Sequence, residues 1–228
     1  MQQVAGIVPF TSIDFPGNLA AVVFFQGCPL RCPFCHNPEL QGYPGPMGQS
    51  WDEVVEFLRG RVKRLDGVVF SGGEPLMASE IIDKAKTVKD LCFKLAVHTS
   101  GVYPERLREI LPFLDWVGLD VKSPWDKYDE LCGRPNMAEQ VQKSIQILVD
   151  SGVDFEARTT CDPRHLTPAD TLKIAKILHE LGVKTYALQK YRTFDTDKNP
   201  PSVVDIESFF TSEAVIPIQQ LYPGLILR

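Results

Sequence analysis

Six times along this chain a short apolar run gives way to a segment with helical spacing. The runs are Ala20–Phe25, Gly67–Phe70, Leu95–Val97, Trp116–Lys122, Asp154–Thr160 and Thr185–Gln189. Ala20–Phe25 is apolar throughout, as in a strand buried on both faces, whereas Asp154–Thr160 alternates. Strands that take turns with helices predict βαβ units and a parallel sheet. The helices mark their own ends. Ser50-Trp51-Asp52-Glu53 reads as a capping box for a helix running to about Arg64. A second helix starts near Ser79, with Ile81, Ala85 and Val88 on one face. Pro104 fits a first helical position. A helix carrying Val141, Ile145 and Leu148 stops at Gly152, and Thr167-Pro168-Ala169-Asp170 caps another that ends at Gly182. The expected class is α/β, in a single domain over 1–228. Its core spans about 19–192, an N-terminal extension (1–18) forms a strand or hairpin over one edge, and a Pro-rich C-terminal extension (193–228) packs against the core. The loop Gly42-Tyr43-Pro44-Gly45-Pro46 is too short to divide the chain.

Polar motifs collect at one place in this pattern, the C-terminal ends of the strands. They are the cysteine loop after Phe25, Gly72-Gly73-Glu74-Pro75, His98-Thr99-Ser100-Gly101, Asp120 with Lys122, Arg158, and Gln189. In parallel α/β barrels this rim is where sites are built. Two adjacent glycines let main chain approach a ligand closely, although Gly-Gly before Pro is also a plain turn.

Cys28, Cys32 and Cys35 place three thiols within eight residues. Three cannot all pair as disulfides. Soft thiolates so close together suit an iron–sulfur cluster with one iron left open for chemistry. A zinc ion with His36 as fourth ligand remains open on composition, though neighbouring residues rarely both reach one tetrahedral ion. Free thiols are the third reading. Cys92, Cys132 and Cys161 are scattered and read as buried or free thiols.

Composition narrows the partners. The net charge of −5 gives no general attraction to nucleic acid or anionic membrane. No apolar run approaches the roughly 20 residues of a membrane span, and the first residues lack a signal-peptide pattern. Clustered thiols without an export signal point to the reducing cytoplasm.

The motifs together resemble one family. Cys28-x₃-Cys32-x₂-Cys35-His36-Asn37, Gly72-Gly73-Glu74-Pro75, Leu119-Asp120-Val121-Lys122 and Arg158-Thr159-Thr160 are similar to the glycyl-radical-enzyme activating branch of the radical S-adenosylmethionine (SAM) enzymes. Phe10-Thr11-Ser12-Ile13-Asp14-Phe15-Pro16-Gly17 and Tyr186-Ala187-Leu188-Gln189 most resemble the short activators of anaerobic ribonucleoside-triphosphate reductase. The resemblance implies a partial (β/α)₆ TIM-like barrel with a [4Fe–4S] cluster held by Cys28, Cys32 and Cys35. It implies that Gly72, Gly73 and Glu74 bind the SAM amino group, and that Asp120, Lys122 and Arg158 lie near SAM or the partner's glycine loop. Thr99 and Gln189 join the cofactor-binding rim. His36 and Asn37 would hydrogen-bond the cluster or the adenine end of SAM, and Phe34 would shield the cluster or touch adenine. The implied reaction is reductive cleavage of SAM to a 5′-deoxyadenosyl radical that takes hydrogen from a partner's glycine. The implied partners are a glycyl radical enzyme and an electron donor such as flavodoxin or ferredoxin.

One departure stands out. Many activators have an acidic Asp-Thr-Asn-Gly segment where this chain has His98-Thr99-Ser100-Gly101. In the pyruvate formate-lyase type that Asp helps bind a monovalent cation. Imidazole is a poor ligand for a hard alkali cation, so the expectation is no cation site, with His98 bonding the SAM carboxylate or ribose. Trp125 and Tyr128 are expected to touch the partner. Three other functions stay open: an activase of the pyruvate formate-lyase type, a radical SAM enzyme acting on a small molecule or peptide, and a zinc or iron–sulfur binding module.

Overall fold

The computed structural model describes residues 4–42, 48–193, 197 and 199–228. Tyr43 to Pro46 of the loop discussed above, and Phe194 at the start of the tail, lie outside these residues.

Eight strands form one sheet in sequence order: β1 (Val4–Thr11), β2 (Ala20–Phe25), β3 (Gly67–Gly72), β4 (Lys94–Thr99), β5 (Trp116–Asp120), β6 (Phe155–Cys161), β7 (Tyr186–Lys190) and β8 (Ile226–Leu227). β1 runs antiparallel to β2, and every later neighbour is parallel. A sequential parallel order winds the sheet around itself as in a (β/α) barrel. Among the described residues β1 and β8 are not paired with each other, so the barrel is open along one seam. The six strands expected from the sequence are β2–β7. The N-terminal strand covers one edge, and the tail adds β8 at the other.

Alternation along the strands sorts side chains into two cores. Val23, Phe25, Val68, Phe70, Leu95 and Val97 face the helices in the main core. Ala20, Val22, Val69, Ala96 and Trp116 fill the barrel interior with Phe15, from the turn after β1. Phe15 seals the N-terminal end so closely that a Cβ on Gly67 would lie 2.8 Å from its ring. Apolar side chains therefore occupy the floor of the barrel, leaving the upper interior to polar residues.

The helices are α1 (Trp51–Arg59), α2 (Ile81–Asp90), α3 (Pro104–Ile110), α4 (Trp125–Cys132), α5 (Met137–Ser151), α6 (Pro168–Glu180), α7 (Val203–Glu207) and α8 (Ser212–Leu221). Both expected capping boxes form, Ser50 with Glu53 and Thr167 with Asp170. α5 ends at Gly152 in the left-handed region, φ 74°. α1 stops at Arg59 rather than near Arg64. Its cap is Gly60, a poor helix former, and turns follow to Arg64. α4 is a helix beyond those expected from the sequence, marked by Pro124 before it and Gly133 in the left-handed region after it, φ 69°. Tyr128 is wholly buried within α4, and its ring lies tilted against Trp125 with centroids 5.4 Å apart. Tyr128 therefore packs the core and offers no surface to a partner. Among the described residues no helix is long and apolar enough to cross a membrane.

Candidate active site

The C-terminal ends of the strands surround a cavity of about 410 Å³. Parallel register levels the polar residues at its rim. Phe25 pairs with Gly72, Thr99 with Leu119, Asp120 with Arg158, and Thr160 with Gln189. Of the residues singled out from sequence, Cys28, Cys32, Cys35, Phe34, Asn37, Gly72 and Gly73 line the cavity. So do His98, Thr99, Asp120, Lys122, Arg158 and Gln189, together with His36. Of the residues expected to bind cluster or SAM, Glu74 alone does not.

The cysteine loop is fixed by its own main chain and its neighbours. Gly27 N–H donates to Leu40 O (2.8 Å), Cys28 N–H to Gln41 O (3.3 Å) and Cys35 N–H to Cys32 O (3.2 Å). The Gln26 amide ties Glu39 O and Gly42 O at 2.9 and 2.7 Å. Arg31 N–H donates to Cys132 O at the end of α4 (3.0 Å), and its guanidinium to Cys28 O (2.7 Å). The Gly-Gly segment is locked to this loop, with Gly73 N–H on Phe25 O and Glu74 N–H on Gly27 O, both 2.9 Å. Gly72 has φ 116°, and a Cβ on Gly73 would lie 2.2 Å from Gly27 O. Both glycines are demanded by contact between two backbones.

Glu74 explains the strength of that joint. Its side chain has no solvent exposure, and four donors point at its carboxylate. They are Leu76 N–H (3.0 Å), Thr99 Oγ1 (2.8 Å), Ser100 N–H (2.8 Å) and Ser100 Oγ (2.5 Å). The carboxylate thus welds the end of β3 to the end of β4. Nothing in the spacing announced Ser100 as its partner.

The thiols differ in environment. Burial, and after it the Glu74 charge, pushes the Cys28 thiol up to about 12. A thiolate there needs a positive charge to balance it, which iron supplies. Cys32 moves the other way, lowered against the pull of burial chiefly by the neighbouring Cys132 thiol. Cys132 read from sequence as an unrelated buried thiol, yet α4 delivers it to the cluster loop. Among the described residues no three His, Cys, Asp or Glu side chains converge on one point able to hold a single ion. A tetrahedral zinc site needs such convergence, whereas a cluster presents a separate iron to each thiolate. The donor set fits a [4Fe–4S] cluster.

On the same cavity, Asp120 sits between two cations, 2.8 Å from Arg158 and 3.2 Å from Lys122. Burial raises its pKa, but the Arg158 and Lys122 charges outweigh burial and hold the carboxyl well below the usual range. Burial likewise opposes the Lys122 ammonium, which Asp120 and Cys32 keep charged. The Arg158 guanidinium lies over Gly118, where a Cβ would come within 2.7 Å of it. His98 Nε2 is 2.8 Å from Asp14 O. Burial first, and the Arg158 charge second, push His98 down to about 3. The ring is therefore neutral. Since a carbonyl only accepts, the proton is assigned to Nε2, and Nδ1 is left as an acceptor. Asp14 belongs to the turn after β1, and its carbonyl reaches His98. The turn signal Asp14-Phe15-Pro16-Gly17 placed it, but nothing showed it entering the barrel.

Known proteins bear on this geometry. The Radical SAM superfamily profile matches residues 22–163. A protein of Methanocaldococcus jannaschii assigned as a candidate glycyl-radical enzyme activating enzyme is 31% identical over 84% of this chain and 81% of its own. The pyruvate formate-lyase-activating enzyme of Clostridium pasteurianum is 37% identical over 54% of this chain and 53% of its own. Among solved structures, Streptococcus suis SuiB bound to S-adenosylmethionine superposes with TM-score 0.67 at 15% identity, covering 89% of this chain and 48% of that one. The chain thus matches about half the length of the last two. It belongs to the radical SAM superfamily, in the branch of the glycyl-radical-enzyme activating proteins. Its cofactors are the [4Fe–4S] cluster and SAM common to that family.

Proposed function

We propose that this chain activates a glycyl radical enzyme, and that its partner is anaerobic ribonucleoside-triphosphate reductase. The observation that carries the reading is the cavity itself: three thiols and the Asp120–Lys122–Arg158 group line one space at the strand ends. The match over four-fifths of the Methanocaldococcus protein supports the activase class. The Asp14-Phe15-Pro16-Gly17 turn and the Tyr186–Gln189 strand favour the reductase as partner.

When bound, the cluster and SAM supply a reducing electron and a carbon-centred radical able to remove a glycine hydrogen; the protein supplies position and dryness. Cys28, Cys32 and Cys35 hold the cluster. The Gly72-Gly73 main chain meets the SAM amino group, while the enclosed Glu74 carboxylate keeps that main chain in place. Lys122 offers its ammonium to the SAM carboxylate. His98 Nδ1 can only accept, so it suits a ribose hydroxyl and repels a carboxylate, which narrows the expectation from sequence. The Arg158 guanidinium, fixed on Asp120, needs no alkali cation beside it. Phe34, 5% exposed and 6.0 Å from the Lys122 ammonium, keeps water from the cluster edge. The setting is the cytoplasm, with flavodoxin or ferredoxin as electron donor.

The test is anaerobic reconstitution, reduction in the presence of SAM, and assay for methionine and 5′-deoxyadenosine. Anaerobic reductase and pyruvate formate-lyase are then added in separate samples and scanned for a glycyl radical by electron paramagnetic resonance. A signal on the reductase is expected. A signal only on the lyase overturns the choice of partner, and SAM cleavage with neither signal overturns the activase reading.

A further inference from the structure

One helix, α4, touches both halves of the site. Tyr128 and Cys132 lie four residues apart on it, so they share one face, and neither has any solvent exposure. The Tyr128 hydroxyl accepts from Lys122 N–H and donates to Asp120 O, both at 3.4 Å. One turn further on, the Cys132 side chain reaches the Cys32 sulfur.

Main chain, rather than the thiol, holds the end of α4 in this place. Arg31 N–H donates to Cys132 O at 3.0 Å, so the residue before Cys32 is bonded to Cys132 itself. Gly133 then turns the chain away in the left-handed region, φ 69°, and a Cβ on it would lie 3.2 Å from Arg31 Cβ. Leu30, Cys32, Tyr128 and Cys132 pack in the same core. The approach of the two sulfurs is thus built into the backbone, and removing the Cys132 side chain leaves that frame standing.

The two sulfurs differ in chemistry. As a cluster ligand Cys32 is a thiolate, which can only accept. Cys132 lies outside the three-cysteine loop that holds the irons, and burial away from water favours its neutral form. The hydrogen between the sulfurs therefore belongs to Cys132. In a dry site of low dielectric such a donor counts for more than it does in water. Hydrogen bonds to the sulfurs are one of the levers that set the potential of a cluster. They favour the reduced state, which carries one more negative charge.

We propose that Cys132 is a positioning residue for the cluster, its S–H donating to Cys32 Sγ and making the cluster easier to reduce. The proposal rests on the cluster reading above and deepens it, by naming a protein group that sets how readily the cluster accepts its electron.

The experiment titrates the reconstituted full chain, without SAM or partner, at poised potentials and follows the reduced cluster by electron paramagnetic resonance. In Cys132→Ala the ratio of reduced to oxidised cluster at a fixed potential is expected to fall about threefold, which is about 28 mV at 59 mV per tenfold for one electron. Cys132→Ser keeps a donor and is expected to recover most of that loss. Double resonance on the reduced cluster in D2O and H2O is expected to show an exchangeable proton in the wild type that Cys132→Ala lacks. Cys132→Val, which fills the space without a donor, takes the place of the alanine variant if that variant loads no cluster. A wild-type potential in the variant without a donor overturns the proposal, as does an equal shift in Cys132→Ser. Loss of the cluster in all three variants overturns it too, by making Cys132 a packing residue. Failure of the wild type to bind four irons overturns the cluster reading instead.

Discussion

The wall that carries the cysteines and the open seam of the barrel beside it are built on opposite plans. The wall is closed: Gly73 lies against Gly27, Glu74 is enclosed by four donors, and Arg31 is tied to the end of α4. The seam is open: β1 is bare over Val8–Phe10, and Ile13 beside it is 73% exposed. The difference follows the work each side does. A cluster must be held at fixed ligand positions and kept dry, which calls for satisfied buried polar groups and glycines at backbone contacts. On the proposed activase function a protein segment must reach the cavity, which calls for an open side.

A bracing group outside the cysteine loop extends the contrast. The Phe34 ring stands 6.0 Å from His165, and His36 stands 5.4 Å from Tyr191, so both residues flanking Cys35 are backed by rings. Tyr191 donates to Asp197 at 2.5 Å, and the Arg164 guanidinium lies 4.7 Å over its ring while also bonding buried Asp162 at 2.6 Å. Among the described residues no ring contact is found at Ile13 or Phe10.

The sharpest way to break the contrast is at Glu74. Glu74→Ala leaves the Leu76 and Ser100 N–H groups and the Thr99 and Ser100 hydroxyls without their acceptor. Each stranded buried donor costs about 1–3 kcal/mol, partly relieved by water, so a loss of about 3–5 kcal/mol is expected. Denaturant unfolding of the apo chain measures it. A loss below about 1 kcal/mol would mean that the wall is not held by this carboxylate.

How far the sequence could foresee this depended on whether the chemistry was local. The six strands, both capping boxes and the rim motifs rest on contiguous residues, and they were legible. So were the three thiols, whose spacing is a property of one loop. What escaped depended on contacts between distant segments. Ser100 lies 26 residues from Glu74, Cys132 reaches Cys32 only through α4, and Asp14 meets His98 across the barrel. No period or spacing encodes such pairings. α4 is a different case. Pro124 and Gly133 bracketed it, but its apolar residues were read as surface aromatics rather than as a buried face. The seam was foreseen only as an absence, since six strands leave a gap; its two edges are β1 and, from the tail, β8.

His98 gives a smaller effect, with a defined pH window. In the folded chain the ring stays neutral down to about 3, whereas an unfolded histidine titrates near 6.5. Between those values the unfolded chain binds a proton that the folded one refuses. Stability from this residue is therefore fully present above about 6.5 and is lost as pH falls toward 3, at up to ~1.4 kcal/mol per unit. His98→Asn removes that linkage. Between pH 6.5 and 5 the variant should lose about 1–2 kcal/mol less than the wild type, measured by urea unfolding at each pH. Parallel curves for the two proteins would show that the buried ring is not what disfavours protonation.

The smallest expected effect lies at the seam and completes the comparison. Phe10 is a large apolar residue in a strand, and in a wall position its loss would cost several kcal/mol. Here more than half of its surface already faces water, so Phe10→Ser removes little buried area. A surface change away from caps, cavities and networks stays within about 0.5 kcal/mol, and thermal melting of the apo chain should show that. If the substitution instead costs more than about 2 kcal/mol, β1 is a structural strand whose exposed face is needed for folding. The contrast between a closed wall and an open seam would then fail at β1.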